Sequence, residues 1–203
     1  MKETLNKAPE DTRGRILKAA FEEFYRNGFQ GGSLNHIVDA AGTTKGALFH
    51  YFAGKNDLGY AVVEEVIRPH MKARWLDTLA SSIDPIADLK RAMQSFAQEE
   101  VAKRGIVNGC PLNNLAQEMS PLDEEFRKRI ERVYTDWRDG LEAAFTRGMK
   151  SGKVRKDISP RNVAALVVAV LEGMIGTAKN AQSAEPLKEA GAAFFEYLDS
   201  LKP

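Results

Sequence analysis

The stretch Ser33 to Lys55, SLNHIVDAAGTTKGALFHYFAGK, divides into two short helices and a tight turn. Ser33 suits the N-cap of the first helix, because its hydroxyl can accept from a backbone N–H that has no partner inside the helix. Leu34, Ile37, Val38 and Ala41 follow at i, i+3, i+4 and i+7, which places an apolar stripe along one face. Gly42 stops that helix, since glycine enters the left-handed region at little cost. Thr43 or Thr44 caps the next helix. This second helix starts small and polar (Thr44, Lys45, Gly46, Ala47) and ends aromatic (Phe49, His50, Tyr51, Phe52).

Two helices joined by a short glycine-containing turn form a helix-turn-helix, whose second helix can enter the DNA major groove. Gly46 and Ala47 would let the backbone approach base edges, and Thr44 and Lys45 supply short and long donors. Leu48 and Phe52, four residues apart, would anchor the inner face. Tyr51 and Lys55 can reach phosphates, which position a protein without reading sequence. A plain helical hairpin inside an all-α protein satisfies the same pattern.

The segments TRGRILKAAFEEFYRNGF and SLNHIVDAAGTTKGALFHYFAGKNDL resemble the N-terminal DNA-binding domain of the tetracycline-repressor (TetR) family. The likeness spans Thr12 to about Val66. It combines Asn27-Gly28-Phe29 at the end of a first helix, the Val-Asp-Ala-Ala-Gly turn, and Lys-Gly-Ala-Leu-Phe-His-Tyr-Phe followed by Lys55 and Leu58. Position 49 departs from the pattern: it is Phe where the family commonly has Tyr, so a hydroxyl contact there is missing. The resemblance implies an all-α protein with a three-helix DNA-binding head and a larger helical ligand-binding and dimerisation body. It implies base contacts by Thr43, Thr44, Lys45, Gly46 and Phe49, and phosphate contacts by Ser33, Thr44, His50, Tyr51 and Lys55.

The composition is that of an ordinary globular chain: 203 residues, 43% hydrophobic and 28% charged. Charge does not announce a nucleic-acid binder. Lys and Arg number 29 against 28 Asp and Glu, and residues 1–60 carry a net +1. Any basic footprint is therefore local, at Arg26, Lys45 and Lys55. No apolar run approaches a membrane span, the longest being Val163 to Leu171 before Glu172 interrupts it. The polar start, MKETLNKAPED, does not read as a secretory signal. One cysteine allows no internal disulfide, in keeping with a reducing cytoplasm.

Along the chain, residues 1–10 read as a polar arm that is by composition a disordered tail, with a DNA contact by Lys2 or Lys7 as the alternative. A first helix runs from about Glu10 to Asn27 with Ile16, Leu17, Ala20, Phe21 and Phe24 inward. The expected division is a head over 1–55, a connecting helix over about 55–79, and a body over 80–203. Pro69 should kink or end the connecting helix, because it lacks the N–H a helix interior needs. Body helices are expected at Asp84 to about Arg104, Leu112 to Met119, Pro121 to Ser151, Ser159 to Asn180 and Glu185 to Leu201. Their inward positions include Leu89, Met93 and Val101 in the first of these.

Three constellations stand out in the body. The two last helices carry more apolar surface than one chain easily covers, and Gly173 and Gly176 permit close approach of another helix. The resemblance implies a homodimer through this pair, with Val163, Val167, Val170, Phe194, Tyr197 and Leu198 as candidates; an internal core helix is the alternative. Phe96, Cys110, Leu112, Met119, Tyr134, Trp137, Leu141 and Met174 could line a pocket for a mostly apolar small effector, or fill each other's space as solid core. The phase of Trp75 after Pro69 is left open. Cys110 stands at a helix break before Leu112, where a helix N-terminus would favour a thiolate able to sense electrophiles or oxidants. The alternative is a buried small hydrophobe. The scattered His36, His50 and His70 offer no metal-ligand spacing, and neither a catalytic motif nor a base–orienter pair supports an enzyme using Cys110 as nucleophile. The functional expectation is a cytoplasmic dimeric repressor that leaves palindromic operator DNA when a small molecule binds; a helical ligand-binding protein without DNA affinity is the alternative.

Overall fold

The computed structural model describes the backbone of residues 11–102 and 108–203, and the side chains of 11–99 and 108–203. All regular structure there is helical, with no strand. The arm over 1–10, the inward side chain of Val101 and the helix end at Arg104 lie outside the described residues. Contacts divide the chain between Val66 and Ile67. Residues 55–66 thus go with the head, and Ile67 to Leu79 with the body.

The head contains α1 (Thr12–Asn27), α2 (Leu34–Ala40), α3 (Lys45–Tyr51) and α4 (Lys55–Val62). Asp11 caps α1 by accepting from the Gly14 N–H at 2.6 Å. Ile16, Leu17, Ala20 and Phe24 are buried along α1, while Phe21 is half-buried and stacks on Tyr25. Ile37 and Val38 of α2, Leu48 of α3 with Phe52 at its C-cap, and Leu58 and Val62 of α4 complete this core. Gly42 has φ +59, the left-handed geometry that lets α2 stop and the chain turn into α3. Arg13 of α1 forms a two-point ion pair with Glu65, each bond 2.6 Å, and lies 5.2 Å over the Phe52 ring.

A π-helical turn, Val63–Ile67, precedes α5 (Arg68–Trp75). Of the two expected outcomes, a kink or an end, Pro69 does not end the helix. It occupies the first turn of α5, where a missing N–H is tolerated, and the wider upstream turn re-registers the ladder. α5 buries Met71 and Trp75.

The body continues with α6 (Pro85–Ala102), α7 (Pro111–Met119), α8 (Glu124–Lys150), α9 (Pro160–Ala181) and α10 (Glu185–Asp199). α8 starts later than Pro121, because Asp123 is the better cap: its carboxylate accepts from Phe126 N–H at 2.9 Å. Ser159 caps α9 as expected, with Pro160 in the first turn. α8 runs through the middle of the body, burying Phe126, Ile130, Val133, Trp137, Leu141, Ala144 and Phe145. Trp137 stacks between Trp75, at 5.7 Å, and Tyr134, at 6.5 Å. α9 packs against both α8 and α10. Among the described residues, α9 is the one helix long and apolar enough to cross a membrane, against the expectation of none, and half of its most apolar window is buried in the body.

Candidate nucleic-acid interface and effector region

The start of α2 is held from two directions. Ser33 Oγ accepts from the His36 N–H at 3.4 Å. The Ser33 N–H in turn donates to Glu23 Oε1 of α1 at 2.9 Å, and His36 Nδ1 lies 3.3 Å from the same oxygen. In a capping box the second acceptor comes from the third helical residue. Here that residue is His36, so α1 supplies the carboxylate instead. Burial pushes the Glu23 carboxyl up, but hydrogen bonds from Ser33, Asn27 and His36 outweigh it and hold the group below the usual carboxylate range. Sequence reasoning missed Glu23; the histidine at the capping-box position was the available signal.

Thr44 is the N-cap of α3, accepting from Ala47 N–H at 3.2 Å. Leu48 and Phe52 face inward at 1% and 2% exposure. Lys45, Gly46, Phe49, His50 and Tyr51 therefore share the outer side, and Thr43 is half-buried in the turn. A side chain at Gly46 would meet only the Thr44 hydroxyl, at 3.8 Å, so the fold does not itself require glycine there. Phe49 is 51% exposed, an unusual position for a ring with no polar edge. Lys55 has a local role: its Nζ donates to the Gln30 carbonyl at 3.0 Å and lies 5.2 Å over the Phe29 ring. The linker between α1 and α2 is thus pinned by Glu23 at Ser33 and by Lys55 at Gln30.

The eight effector candidates do not share one cavity. Phe96 and Met174 line a cavity of about 260 Å³ between α6, α9 and α10. Trp137 borders a second, of about 440 Å³, with Met71, Leu76 and Val133 beneath the Arg68–Asp136 ion pair. Leu112, Met119 and Leu141 are packed core. They fill space that the helical periodicity alone could not tell from a pocket wall. Trp75, whose phase was open, is buried against Trp137 and Phe96.

Cys110 and Tyr134 instead meet Glu172 of α9. The Cys110 thiol donates to Glu172 Oε1 at 3.2 Å, and the Tyr134 hydroxyl lies 3.5 Å from both Glu172 Oε1 and Asn113 Oδ1. Glu172 is buried and its Oε2 has no hydrogen-bond partner. Desolvation raises its pKa to about 7, against the lowering effect of the bonds from Cys110 and Tyr134. Burial, and then the nearby Glu172 charge, push the Cys110 thiol well above its ordinary range. This reverses the thiolate expectation: the N–H groups at the start of α7 are present, but desolvation and a carboxylate outweigh them. No group of three or more His, Cys, Asp or Glu placed to hold a metal occurs among the described residues.

The interface candidates also need correction. Val163, Val167, Phe194 and Leu198 are 5%, 0%, 5% and 0% exposed within the single chain, and so belong to its own core. Val170 and Tyr197 are half-buried. The open side of α9 carries Ala165, Leu166, Ala169, Gly173, Gly176 and Thr177 instead, with Ala190 and Ala193 exposed on α10. α9 is apolar nearly all round, so its sequence does not tell which side its own body covers.

With this arrangement of helices in view, relatives are informative. Residues 16–62 match the family described as "Bacterial regulatory proteins, tetR family", and residues 85–194 match "Tetracyclin repressor-like, C-terminal domain". The chain belongs to the TetR family of transcriptional regulators, which are not enzymes. It is 31% identical over 174 residues to the transcriptional regulator AcuR of Cereibacter sphaeroides, covering 85% of this chain and 78% of that protein. An uncharacterized HTH-type transcriptional regulator of Lactococcus lactis subsp. lactis is 34% identical over 126 residues, covering 62% of this chain and 64% of that protein. The crystal structure of regulatory protein TetR from Rhodobacter sphaeroides superposes with a TM-score of 0.77 at 27% identity, covering 90% of this chain and 96% of that one.

Proposed function

We propose that this regulator is a cytoplasmic homodimeric repressor, that each subunit reads one half-site of a palindromic operator, and that a small molecule bound in the body releases the DNA. The observation that carries the reading is the outer side of α3. It offers Lys45, Gly46, Phe49, His50 and Tyr51 to solvent while Leu48 and Phe52 hold the helix down. Half-exposed aromatic rings beside a lysine and a bare backbone are poor surface for a solitary protein and good surface for a groove. Lys45, Gly46 and Phe49, with Thr43 and Thr44 at the turn, are assigned to base edges. His50 and Tyr51, with Ser33, are assigned to phosphates. Two heads must sit roughly 34–36 Å apart, or at a multiple, to meet successive major grooves.

Pairing of subunits is assigned to the open side of α9 and α10. Gly173 and Gly176 have empty space where a Cβ would be, so a partner helix can come close. An effector that prefers a conformer with different head spacing weakens DNA binding, and by linkage DNA weakens the effector equally.

The deciding experiment is a mobility-shift titration with the DNA flanking the chain's own gene, comparing wild type with Lys45→Ala. Retardation is expected at nanomolar protein, with Lys45→Ala changing which base substitutions are tolerated. Absence of any specific complex would leave a ligand-binding protein that does not act on DNA. Uniform weakening by Lys45→Ala across sequences would move Lys45 from base to phosphate contact.

A further inference from the structure

We propose that the cavity between α6, α9 and α10 is a binding site for a compact, predominantly apolar small molecule of about ten non-hydrogen atoms. α9 contributes Leu171, Met174 and Ile175 to its lining, α6 contributes Phe96 and α10 contributes Phe195. Gln94 and Lys188 also line it and are exposed, which puts polar groups at its mouth. Ser82 Oγ, Trp137 Nε1 and Glu172 Oε2, buried polar atoms without a hydrogen-bond partner, all belong to residues outside this lining. The walls therefore offer dispersion contacts and no buried charge to neutralise, and a ligand places its polar group at the mouth.

Size follows from volume. A dry apolar cavity of about 150 Å³ accepts benzene. At the same scale, about 260 Å³ accepts a fused bicyclic ring or an alkyl compound of similar bulk.

The aromatic walls are held in place before any ligand arrives. Phe96 lies 5.7 Å from Trp75, with the Arg74 guanidinium 5.6 Å over its ring. Phe195 lies under the Lys90 ammonium at 5.0 Å, and that ammonium is paired with Asp199 at 2.8 Å. A wall that does not need ordering loses less entropy on binding. The glycine at 191 completes the shape. A Cβ there would meet nothing within 4 Å, so the missing side chain leaves room that the fold does not use.

The site deepens the reading of the body as the ligand-responsive half and rests on that reading for its regulatory meaning. α9 and α10 form the cavity on one side and present Leu166, Gly173 and Ala190 on open surface. A ligand wedged between them changes the packing of the two helices assigned to subunit pairing.

The test is calorimetric titration of the full chain with 2-naphthol, without DNA. One molecule per chain is expected to bind, with association weakened at least tenfold in Gly191→Leu and a few-fold in Gly191→Ala. Ala97→Leu narrows the cavity from α6 and is expected to weaken association at least tenfold as well, which decides the matter if Gly191→Leu does not fold. No binding by wild type, or unchanged binding in the folded variants, overturns the site. A mobility shift without 2-naphthol separates the two readings. A chain that retards operator DNA but ignores 2-naphthol loses this site and keeps its function. A chain that binds 2-naphthol with the expected Gly191 dependence but never retards DNA loses the function and keeps the site.

Discussion

Burial of Glu172 puts a pH dependence on the stability of the body. Its pKa in the folded chain is about 7, raised above the unfolded value by desolvation. Between the two values the folded state holds the proton more tightly, so stability is highest at acid pH and falls as pH rises toward about 7. At pH 8, above both values, the penalty is on the order of 3 kcal/mol. Glu172→Gln keeps an acceptor for the Cys110 thiol and the Tyr134 hydroxyl but cannot ionise. It is expected to be more stable than wild type at pH 8 and to lose that advantage near pH 5. Urea midpoints across this range check it; an equal difference at both ends would show that Glu172 does not titrate as argued. Cys110 shares this environment, and for the same reason its thiol is a poor nucleophile in the folded chain.

At the scale of elements, the open side of α9 predicts which substitutions separate subunits and which unfold them. Leu166 is 41% exposed, whereas Phe194 is 5% exposed. Leu166→Glu places a charge where only a partner would bury it, so it is expected to give folded monomers with nearly wild-type melting. Phe194→Glu buries an unpaired charge inside one chain and is expected to cost several kcal/mol of fold stability. Sedimentation paired with thermal melting distinguishes the two. A Leu166→Glu chain that stays dimeric would place the subunit contact on another surface.

For the whole molecule, Lys55 links stability to DNA binding. Its ammonium already donates to the Gln30 carbonyl and covers the Phe29 ring, holding the linker that leads to α2. Lys55→Ala is expected to destabilise the head by about 1 kcal/mol, the net worth of one such hydrogen bond. If the same ammonium turns to phosphate in the complex, the salt slope of operator binding in a dimer falls by roughly 2. Denaturation and a salt titration measure the two effects separately. Lost stability with an unchanged slope would make Lys55 a positioning residue alone.

Much of this protein was legible in its sequence because the relevant signals are local. The caps at Ser33 and Ser159 and the left-handed turn at Gly42 act within four residues, so these helix starts and stops can be read where they stand, whereas the choice of Thr44 over Thr43 came from the structure. The inner face of α3 follows from the four-residue spacing of Leu48 and Phe52. What only the tertiary structure decided depends on contacts between distant segments. Glu172 meets Cys110 across 62 positions and Tyr134 across 38, and nothing near it in sequence signals either partner. Glu23 reaches Ser33 from another helix, and Asp123 displaced Pro121 as the start of α8. The apolar circumference of α9 says that several faces are covered or coverable, but only packing against α8 and α10 shows that Val163 and Val167 belong inside while Leu166 does not. Periodicity records how much apolar surface a helix carries; the neighbours that remove it from water are chosen by the fold as a whole.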